Sequence, residues 1–181
     1  MLNPKSYKLL IVLAVAGLLL ALGAASFLIT QGNTKNESSV QSSSDVKESA
    51  PNFTLALIDG KNFQFSDYQG KPILINFFAS WCLPCREEMP VLVKIAQEYE
   101  PKGVVFLGVA VDDTEEKMKD FIARYGVTFP VGLDKTAAVQ KSFGLYGIPT
   151  TYFIDKRGMI NYFHSGAVTE ELLQHELDKL L

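Results

Sequence analysis

The only two cysteines of this 181-residue chain, Cys82 and Cys85, lie between an apolar run and a helix-like pattern. The residues from Ile73 to Ala79 are almost all apolar, as expected of a central strand that is covered on both faces. From Glu87 to Tyr99 the apolar residues follow a helical spacing. Pro84 fits the first turn of a helix, where its missing N–H does no harm. The pattern therefore predicts a strand that ends just before the cysteine pair and a helix that begins near Cys82.

The spacing of the cysteines favours redox exchange over structural cross-linking. A disulfide that closes so short a loop restricts the unfolded chain little, so it adds little stability. A thiol at the N-terminus of a helix, by contrast, lies near unpaired N–H groups and the positive end of the helix dipole, which stabilise its thiolate. We therefore expect Cys82 to be the exposed nucleophile of thiol–disulfide exchange and Cys85 to be the resolving thiol.

Other roles of the residues around the pair stay open at this point. A zinc site would need two ligands besides the cysteines, and His164 and His175 both lie where solvated surface residues are expected. We therefore expect no metal, and no cofactor other than the disulfide of the pair itself.

Glu88 shares a helix face with Cys85 and could exchange the proton of the Cys85 thiol, or it could be an ordinary solvated carboxylate. Asn76 falls within the buried strand, so its side chain must be hydrogen-bonded.

An uncharged and strongly apolar stretch at residues 9–29 divides the chain. A helix of this length would span roughly 30 Å, the thickness of the hydrocarbon core of a membrane. Two lysines precede the stretch and no basic residue follows it until Lys35, which predicts a cytoplasmic N-terminus at residues 1–8 and an extracytoplasmic remainder. We interpret the stretch as a transmembrane signal anchor of a cell-membrane protein. The small residues at 23–25 also fit the cleavage site of a signal peptide.

Residues 30–50 are polar and rich in serine, so they can bury little apolar surface on folding, and we expect a flexible linker. Residues 51–181 remain, a normal size for one domain with its own core. This part carries 13 Lys and Arg residues against 17 Asp and Glu residues. Because phosphate contacts need a basic surface, the acidic balance argues against a nucleic-acid partner.

Strand-like and helix-like patterns alternate along residues 51–181. The predicted strands are 51–58, 62–65, 73–78, 103–111, 151–154 and 159–164, with a short extended segment at 129–134. The predicted helices begin near Cys82, after the cap at 112–114, near Thr136 and after Thr169. The order predicts an α/β sheet with helices on both faces, an N-terminal β-hairpin and a C-terminal hairpin followed by a helix.

Two motifs together resemble the thioredoxin superfamily. They are Trp81-Cys82-Leu83-Pro84-Cys85 with Pro90, and Gly147-Ile148-Pro149-Thr150. Within the superfamily, the N-terminal hairpin, the run from Trp81 to Pro90 and a helix-bearing insert near 113–135 are similar to the membrane-tethered TlpA, ResA and CcmG (DsbE)-like thiol–disulfide oxidoreductases. The resemblance covers residues 51–181. It implies a thioredoxin-like fold, in which helices flank a central mixed β-sheet.

The resemblance also implies roles for single residues. Pro149 would be a cis-proline beside the active-site disulfide, and the backbone of Ile148 would pair with the substrate chain. We place Trp81, Leu83 and Pro84 with Ile148 among the residues that contact the substrate. Glu88 matches an acidic residue that tunes the cysteines in the family. Asn76 stands where cytoplasmic thioredoxins carry a buried Asp, so their scheme of proton transfer is not carried over.

The family implies a reductant of protein disulfides that works outside the membrane, often on apocytochrome c before haem attachment. Its electrons would come from a membrane thiol carrier of the CcdA or DsbD kind. Three alternatives stay open: the reverse direction as an oxidant, a redox-inert module that delivers haem or copper, and a peroxidase of the alkyl-hydroperoxide-reductase type. The peroxidase usually carries Pro-x-x-x-Thr-x-x-Cys, and residues 74–82 lack that pattern.

Overall fold

The computed structural model describes residues 48–181. The expected cytoplasmic N-terminus, the expected anchor at 9–29 and most of the expected linker lie outside the described residues. Within residues 48–181, no helix is both long enough and apolar enough to cross a membrane.

A six-stranded mixed sheet forms the centre of the fold, and its strands are β1 (Glu48–Ser49), β4 (Ile73–Phe78), β5 (Val105–Ala110), β6 (Val131–Leu133), β7 (Thr150–Ile154) and β8 (Met159–Ser165). They lie in the order β1-β8-β7-β4-β5-β6. Strand β4 is parallel to β5 and antiparallel to β7, β6 continues the sheet parallel to β5, and β8 and β1 continue it antiparallel on the other side. The thioredoxin-like fold that the sequence predicts is confirmed.

Four α-helices cover the two faces of the sheet. They are α1 (Leu83–Tyr99), α2 (Glu115–Tyr125), α3 (Ala138–Ser142) and α4 (Glu170–Asp178). The side chains of Thr114 and Thr169 cap α2 and α4 by accepting hydrogen bonds from backbone N–H groups of the first turn. Helix α1 continues through Pro90.

Strand β4 is apolar along its length because both of its faces are covered. Each of its six side chains is at most 2% exposed. Leu74 and Phe78 point into a cluster that includes side chains of α1, α2 and α4, whereas Ile75 and Phe77 point into a cluster that includes α3 and an N-terminal hairpin. Asn76 is the single polar side chain among them, and it lies on the α1 side of the sheet, where it contacts Glu88.

The N-terminal hairpin forms a small sheet of its own from β2 (Thr54–Ala56) and β3 (Asn62–Gln64). It is attached to the edge of the large sheet through β6. The Ile58 N–H donates to the Val131 carbonyl at 2.9 Å, and Leu57 forms an isolated bridge with Gly132. The hairpin is where the sequence predicts it, although its strands are shorter than the predicted 51–58 and 62–65.

The linker predicted at 30–50 is wrong in its last three residues. Glu48 and Ser49 form β1, which pairs with Ile160 and Met159 of β8, and the Ala50 N–H donates to the Gly158 carbonyl at 2.8 Å. An edge strand of this kind is held by main-chain hydrogen bonds, which polar side chains neither reveal nor prevent. Composition therefore misses it.

Gly132 of β6 gives the hairpin room to approach the sheet. A Cβ atom at this position would lie 2.5 Å from Leu55 Cγ and 2.8 Å from the carbonyl oxygen of Ala56. Since a backbone carbonyl can move only with its strand, Gly132→Ala should push the hairpin off β6. We expect a loss of about 1–3 kcal/mol in the free energy of unfolding, measured by urea denaturation of the oxidised protein.

Gly147→Ala is the matched control for that substitution. A Cβ atom at Gly147 meets nothing within 4 Å, so the free energy of unfolding should stay within about 0.5 kcal/mol of the unsubstituted protein. Equal stability of both variants would show that the hairpin does not depend on close contact with β6.

Candidate active site

The C-terminal end of β4 and the first turn of α1 carry the cysteine pair. Cys82 and Cys85 form a disulfide with an S–S distance of 2.06 Å. Cys82 is the N-cap of α1, and its Sγ accepts a hydrogen bond from the Cys85 N–H at 3.3 Å. The predicted strand–cysteine–helix arrangement is therefore confirmed. Both sulfurs lie at the positive end of the helix dipole.

Cys82 is less exposed in the disulfide than the sequence predicts. It is 5% exposed and Cys85 is fully buried. The Sγ of Cys82 is bonded to Cys85 and accepts from the Cys85 N–H on the first turn of α1, and the residue as a whole contacts little solvent. Its neighbours Trp81 and Leu83 are 54% and 60% exposed, and Pro84 is also exposed. These side chains form an apolar surface around the point at which another molecule would reach Cys82.

The loop after β5 holds the turn that precedes Cys82. The Ser80 N–H donates to Asp113 Oδ2 at 2.6 Å, and Trp81 Nε1 donates to the Asp112 carbonyl at 3.0 Å. Arg86 Nη2 closes the turn from the helix side by donating to the Trp81 carbonyl at 3.2 Å. Sequence reasoning treats Asp112 and Asp113 only as helix-cap residues. Their contact with the turn before Cys82 is nevertheless predictable, because the parallel strands β4 and β5 end at the same edge of the sheet and the loops that follow them therefore lie side by side.

The loop that contains Pro149 lies at the same edge. The Ile148–Pro149 peptide bond is cis, as the resemblance implies. Thr150 begins β7 and is paired with Phe77 near the end of β4. Ile148 is half-buried and packs against the apolar cluster that contains both cysteines. The Pro149 carbonyl accepts a hydrogen bond from the Gly166 N–H at 2.9 Å.

A buried carboxylate lies one helical turn beyond Cys85. Glu88 is 2% exposed, so the structure rules out the ordinary solvated carboxylate left open above. Its Oε1 accepts from Asn76 Nδ2 at 2.9 Å, and its Oε2 accepts from the Val168 N–H at 2.8 Å. Asn76 Nδ2 also donates to Thr151 Oγ1 at 3.0 Å, so the amide nitrogen is hydrogen-bonded as predicted, whereas Asn76 Oδ1 is buried and has no hydrogen-bond partner among the described residues.

Burial raises the pKa of Glu88 from its ordinary value of 4.5 to about 7. The hydrogen bonds from Val168 and Asn76 oppose this rise, since they favour the charged form. A carboxyl with a pKa near neutrality is present in both protonation states at physiological pH, so it can take up or release a proton. Sequence reasoning finds Glu88 and Asn76 but misses Thr151 and Val168. The backbone N–H of Val168 leaves no signal in the sequence, whereas Thr151 is directly opposite Asn76 in the register of β4 and β7.

The two histidines lie on β8 and α4, whereas the cysteine pair is at the start of α1. His164 is on β8, where its Nδ1 is 3.5 Å from the hydroxyl of Tyr162, and His175 is largely exposed on α4 beside Glu176. Within residues 48–181, no group of three or more His, Cys, Asp or Glu side chains is placed to hold a metal ion.

A model of the AhpC/TSA family matches residues 46–163. The chain belongs to this family. Thiol-disulfide oxidoreductase ResA of Bacillus thuringiensis subsp. konkukian is 33% identical over 163 residues, which are 90% of this chain and 92% of that protein. Thioredoxin-like protein YneN of Bacillus subtilis is 33% identical over 168 residues, which are 91% and 96% of the two chains.

Solved structures give the same result for the fold. A thiol:disulfide interchange protein of the thioredoxin family from Chlorobium tepidum superposes with a TM-score of 0.70 at 28% identity, over 76% of this chain and 99% of that one. With the disulfide between Cys82 and Cys85, these relatives establish the enzyme class: the protein is a thioredoxin-like thiol–disulfide oxidoreductase. The family description alone does not separate this activity from that of a peroxidase, but the names of these relatives and the C-x-x-C pair do.

The raised pKa of Glu88 makes stability depend on pH. The unfolded carboxyl releases its proton near pH 4.5 and the folded one near pH 7, so the folded state binds more protons between these values. The free energy of unfolding should therefore fall by roughly 3 kcal/mol as the pH rises from 4.5 to 7, with no further contribution from Glu88 above that range. Urea denaturation across this range should show the fall in the oxidised protein and its absence in Glu88→Gln.

Glu87→Gln is the matched control, because it makes the same change at the exposed neighbouring position. The Glu87→Gln protein should keep the full pH dependence of the unsubstituted protein. If Glu88→Gln also kept it, the buried carboxyl would not be the group that titrates.

Proposed function

We propose that the protein is a membrane-tethered reductase of protein disulfides that acts on the extracytoplasmic side of the cell membrane. The observation that carries this proposal is the placement of the C-x-x-C pair. The pair caps α1, exposed apolar side chains surround it, and it shares one edge of the sheet with the cis-Pro149 loop. The location is supported by the apolar stretch at 9–29 and by the lysines that precede it.

The reaction starts from the dithiol form of the enzyme. The Cys82 thiolate attacks one sulfur of the substrate disulfide, the substrate S–S bond breaks, and the other substrate sulfur leaves as a thiolate that takes a proton. A mixed disulfide now joins Cys82 to the substrate. Cys85 then attacks the Sγ of Cys82, and the second substrate sulfur leaves as a thiolate that is protonated. Two electrons pass to the substrate, and the enzyme ends as the Cys82–Cys85 disulfide seen in the structure.

Glu88 is suited to handle the proton of Cys85. Cys85 is fully buried and must lose its proton before it can attack, although no bulk water reaches it. Glu88 follows Cys85 by one helical turn and has a pKa of about 7, so its carboxylate form can accept this proton at neutral pH. The proton returns to Cys85 when the disulfide is reduced again.

The surface around Cys82 suits an extended polypeptide. Among residues 48–181, no main-chain group hydrogen-bonds to the backbone of Ile148, so its N–H and carbonyl are available to pair with a substrate strand. Trp81, Leu83 and Pro84 expose apolar surface beside it. A substrate cysteine held by Ile148 would therefore approach Cys82 between apolar side chains.

The cycle needs a source of electrons, because each turnover leaves the enzyme oxidised. Disulfides persist outside the cytoplasm, where no pool of reduced thiols is at hand. We propose a membrane thiol carrier of the CcdA or DsbD kind as the donor and apocytochrome c as the substrate. Both follow from the resemblance to the TlpA, ResA and CcmG-like group.

Substitution of the cysteines tests the order of the two attacks. Cys82→Ser should abolish reduction of a protein disulfide, because the attacking sulfur is gone. Cys85→Ser should also prevent turnover, but it should accumulate a mixed disulfide between Cys82 and the substrate, seen as an adduct by mass spectrometry under non-reducing conditions. Dithiothreitol should release that adduct. Full activity of Cys82→Ser would reject Cys82 as the nucleophile.

The reduction potential decides between a reductase and an oxidant, since the same atoms catalyse both directions. For a reductase we expect a value nearer to about −270 mV, as in thioredoxin, than to about −120 mV, as in DsbA. Equilibration with glutathione or dithiothreitol buffers would give the value, followed through the fluorescence of Trp81, the single tryptophan. A potential near −120 mV would reverse the proposed direction.

A further inference from the structure

A basic cleft lies beside the cysteine pair, between α1 and α2. It has a volume of about 190 Å³, and three cationic side chains contribute to its lining: Arg86 from α1, and Lys117 and Arg124 from α2. Phe121 and Tyr125 add apolar surface. Ser80, which also lines the cleft, connects it to the turn that precedes Cys82, and Arg86 is the residue after Cys85.

The cations of this cleft form no salt bridge with any residue that the structure describes. Among residues 48–181, no carboxylate oxygen lies within 4.0 Å of a charged nitrogen of Arg86, Lys117 or Arg124. Another lysine of α2 does form an ion pair, since Lys119 Nζ is 2.9 Å from Glu115 Oε1. Surface lysines of this domain therefore do form ion pairs where a carboxylate is near.

Arg86 supplies a second observation. Its Nη2 donates to the Trp81 carbonyl, but its Nε is buried and has no hydrogen-bond partner among the described residues. A buried donor without an acceptor is costly, and a charged donor more so. The Nε atom itself is closed to solvent, but Arg86 lines the cleft, so an acidic side chain in the cleft would lie beside its positive charge. A carboxylate can accept from a guanidinium through both of its oxygens.

Two carboxylates of the protein offset part of this charge. Asp120 lines the cleft, and Asp113 lies next to it. The oxygens of Asp113 are already engaged, since they accept from the Ser80 and Thr114 N–H groups. Three cations against two carboxylates leave a local positive excess in a domain in which 17 acidic residues outnumber 13 basic ones.

We propose that this cleft binds an acidic side chain of the polypeptide whose disulfide reacts at Cys82. The inference rests on the proposed function and adds a preference to it: substrates with Glu or Asp close to the reactive cysteine are favoured. The cleft is lined by Ser80, two residues before Cys82, and by Arg86, the residue directly after Cys85, so a chain joined to Cys82 passes it within a few residues. Attraction of this kind raises the rate of productive encounter and weakens as salt is added.

A pair of peptide disulfides tests the preference. Both peptides carry one cysteine in a disulfide with glutathione and have the same length, and residues next to the cysteine are Glu in one and Gln in the other. The full-length reduced protein, in detergent, should reduce the Glu peptide about fivefold faster at low ionic strength. Each rate is divided by the rate of reduction by dithiothreitol, which removes the difference in chemical reactivity between the peptides. The preference should vanish in about 0.5 M NaCl.

Matched double variants assign the preference to the cleft. Lys117→Gln with Arg124→Gln should bring the ratio of the two normalised rates close to one. Lys119→Gln with Lys135→Gln removes the same charge from side chains that pair with Glu115 outside the cleft, and it should keep the ratio of the unsubstituted protein. The two single variants, Lys117→Gln and Arg124→Gln, should each lose part of the preference.

The outcomes separate this inference from the function on which it rests. Equal normalised rates for both peptides with the unsubstituted protein would overturn the proposal that the cleft binds an acidic side chain, but they would leave the proposed reductase activity intact. The same loss of preference in both double variants would also overturn it, because net charge and not the cleft would then be responsible. Failure of the reduced protein to act on either peptide would overturn the proposed function and the cleft together.

Discussion

The buried carboxylate of Glu88 joins the parts of the structure on which the site depends. It lies on the helix that carries the cysteines, accepts from Asn76 on the central strand, and accepts from the Val168 N–H just before α4. Two opposing effects set its pKa: burial penalises the charge, and the two hydrogen bonds stabilise it. Burial prevails, but the hydrogen bonds limit the rise to a pKa of about 7, which is the range in which a proton can be exchanged at physiological pH.

Asn76 fits this arrangement in a way that a second carboxyl would not. Two carboxyls in contact in a buried site repel when both are ionised, so they titrate as a coupled pair. An amide carries no charge, which leaves Glu88 as the titrating group of the network. An amide also has a donor end and an acceptor end, so it can hydrogen-bond either to a carboxylate or to a protonated carboxyl. Thr151, opposite Asn76 on β7, supplies a hydroxyl that can likewise donate or accept.

Features with a side-chain signal could be predicted from the sequence, whereas features made by the main chain could not. The apolar run of β4 predicts a strand covered on both faces, and Cys82 and Cys85 predict a redox pair at a helix start, because both depend on side-chain type. The edge strand β1 and the Val168 N–H that binds Glu88 are main-chain contacts, so polar or apolar patterns carry no trace of them. The burial of Cys82 likewise leaves no signal in the sequence, because it depends on the three-dimensional packing around the disulfide, which the spacing of the cysteines does not show.

One short segment connects the two halves of the site through its backbone. The Gly166 N–H donates to the Pro149 carbonyl, and two residues later the Val168 N–H donates to Glu88. In the mechanism proposed above, Glu88 exchanges the proton of Cys85 and the Pro149 loop presents Ile148 to a substrate. The segment from Gly166 to Val168 is hydrogen-bonded to both parts at once, because its two donating N–H groups are only two residues apart. One short stretch of backbone therefore contacts both the buried carboxyl and the cis-Pro149 loop.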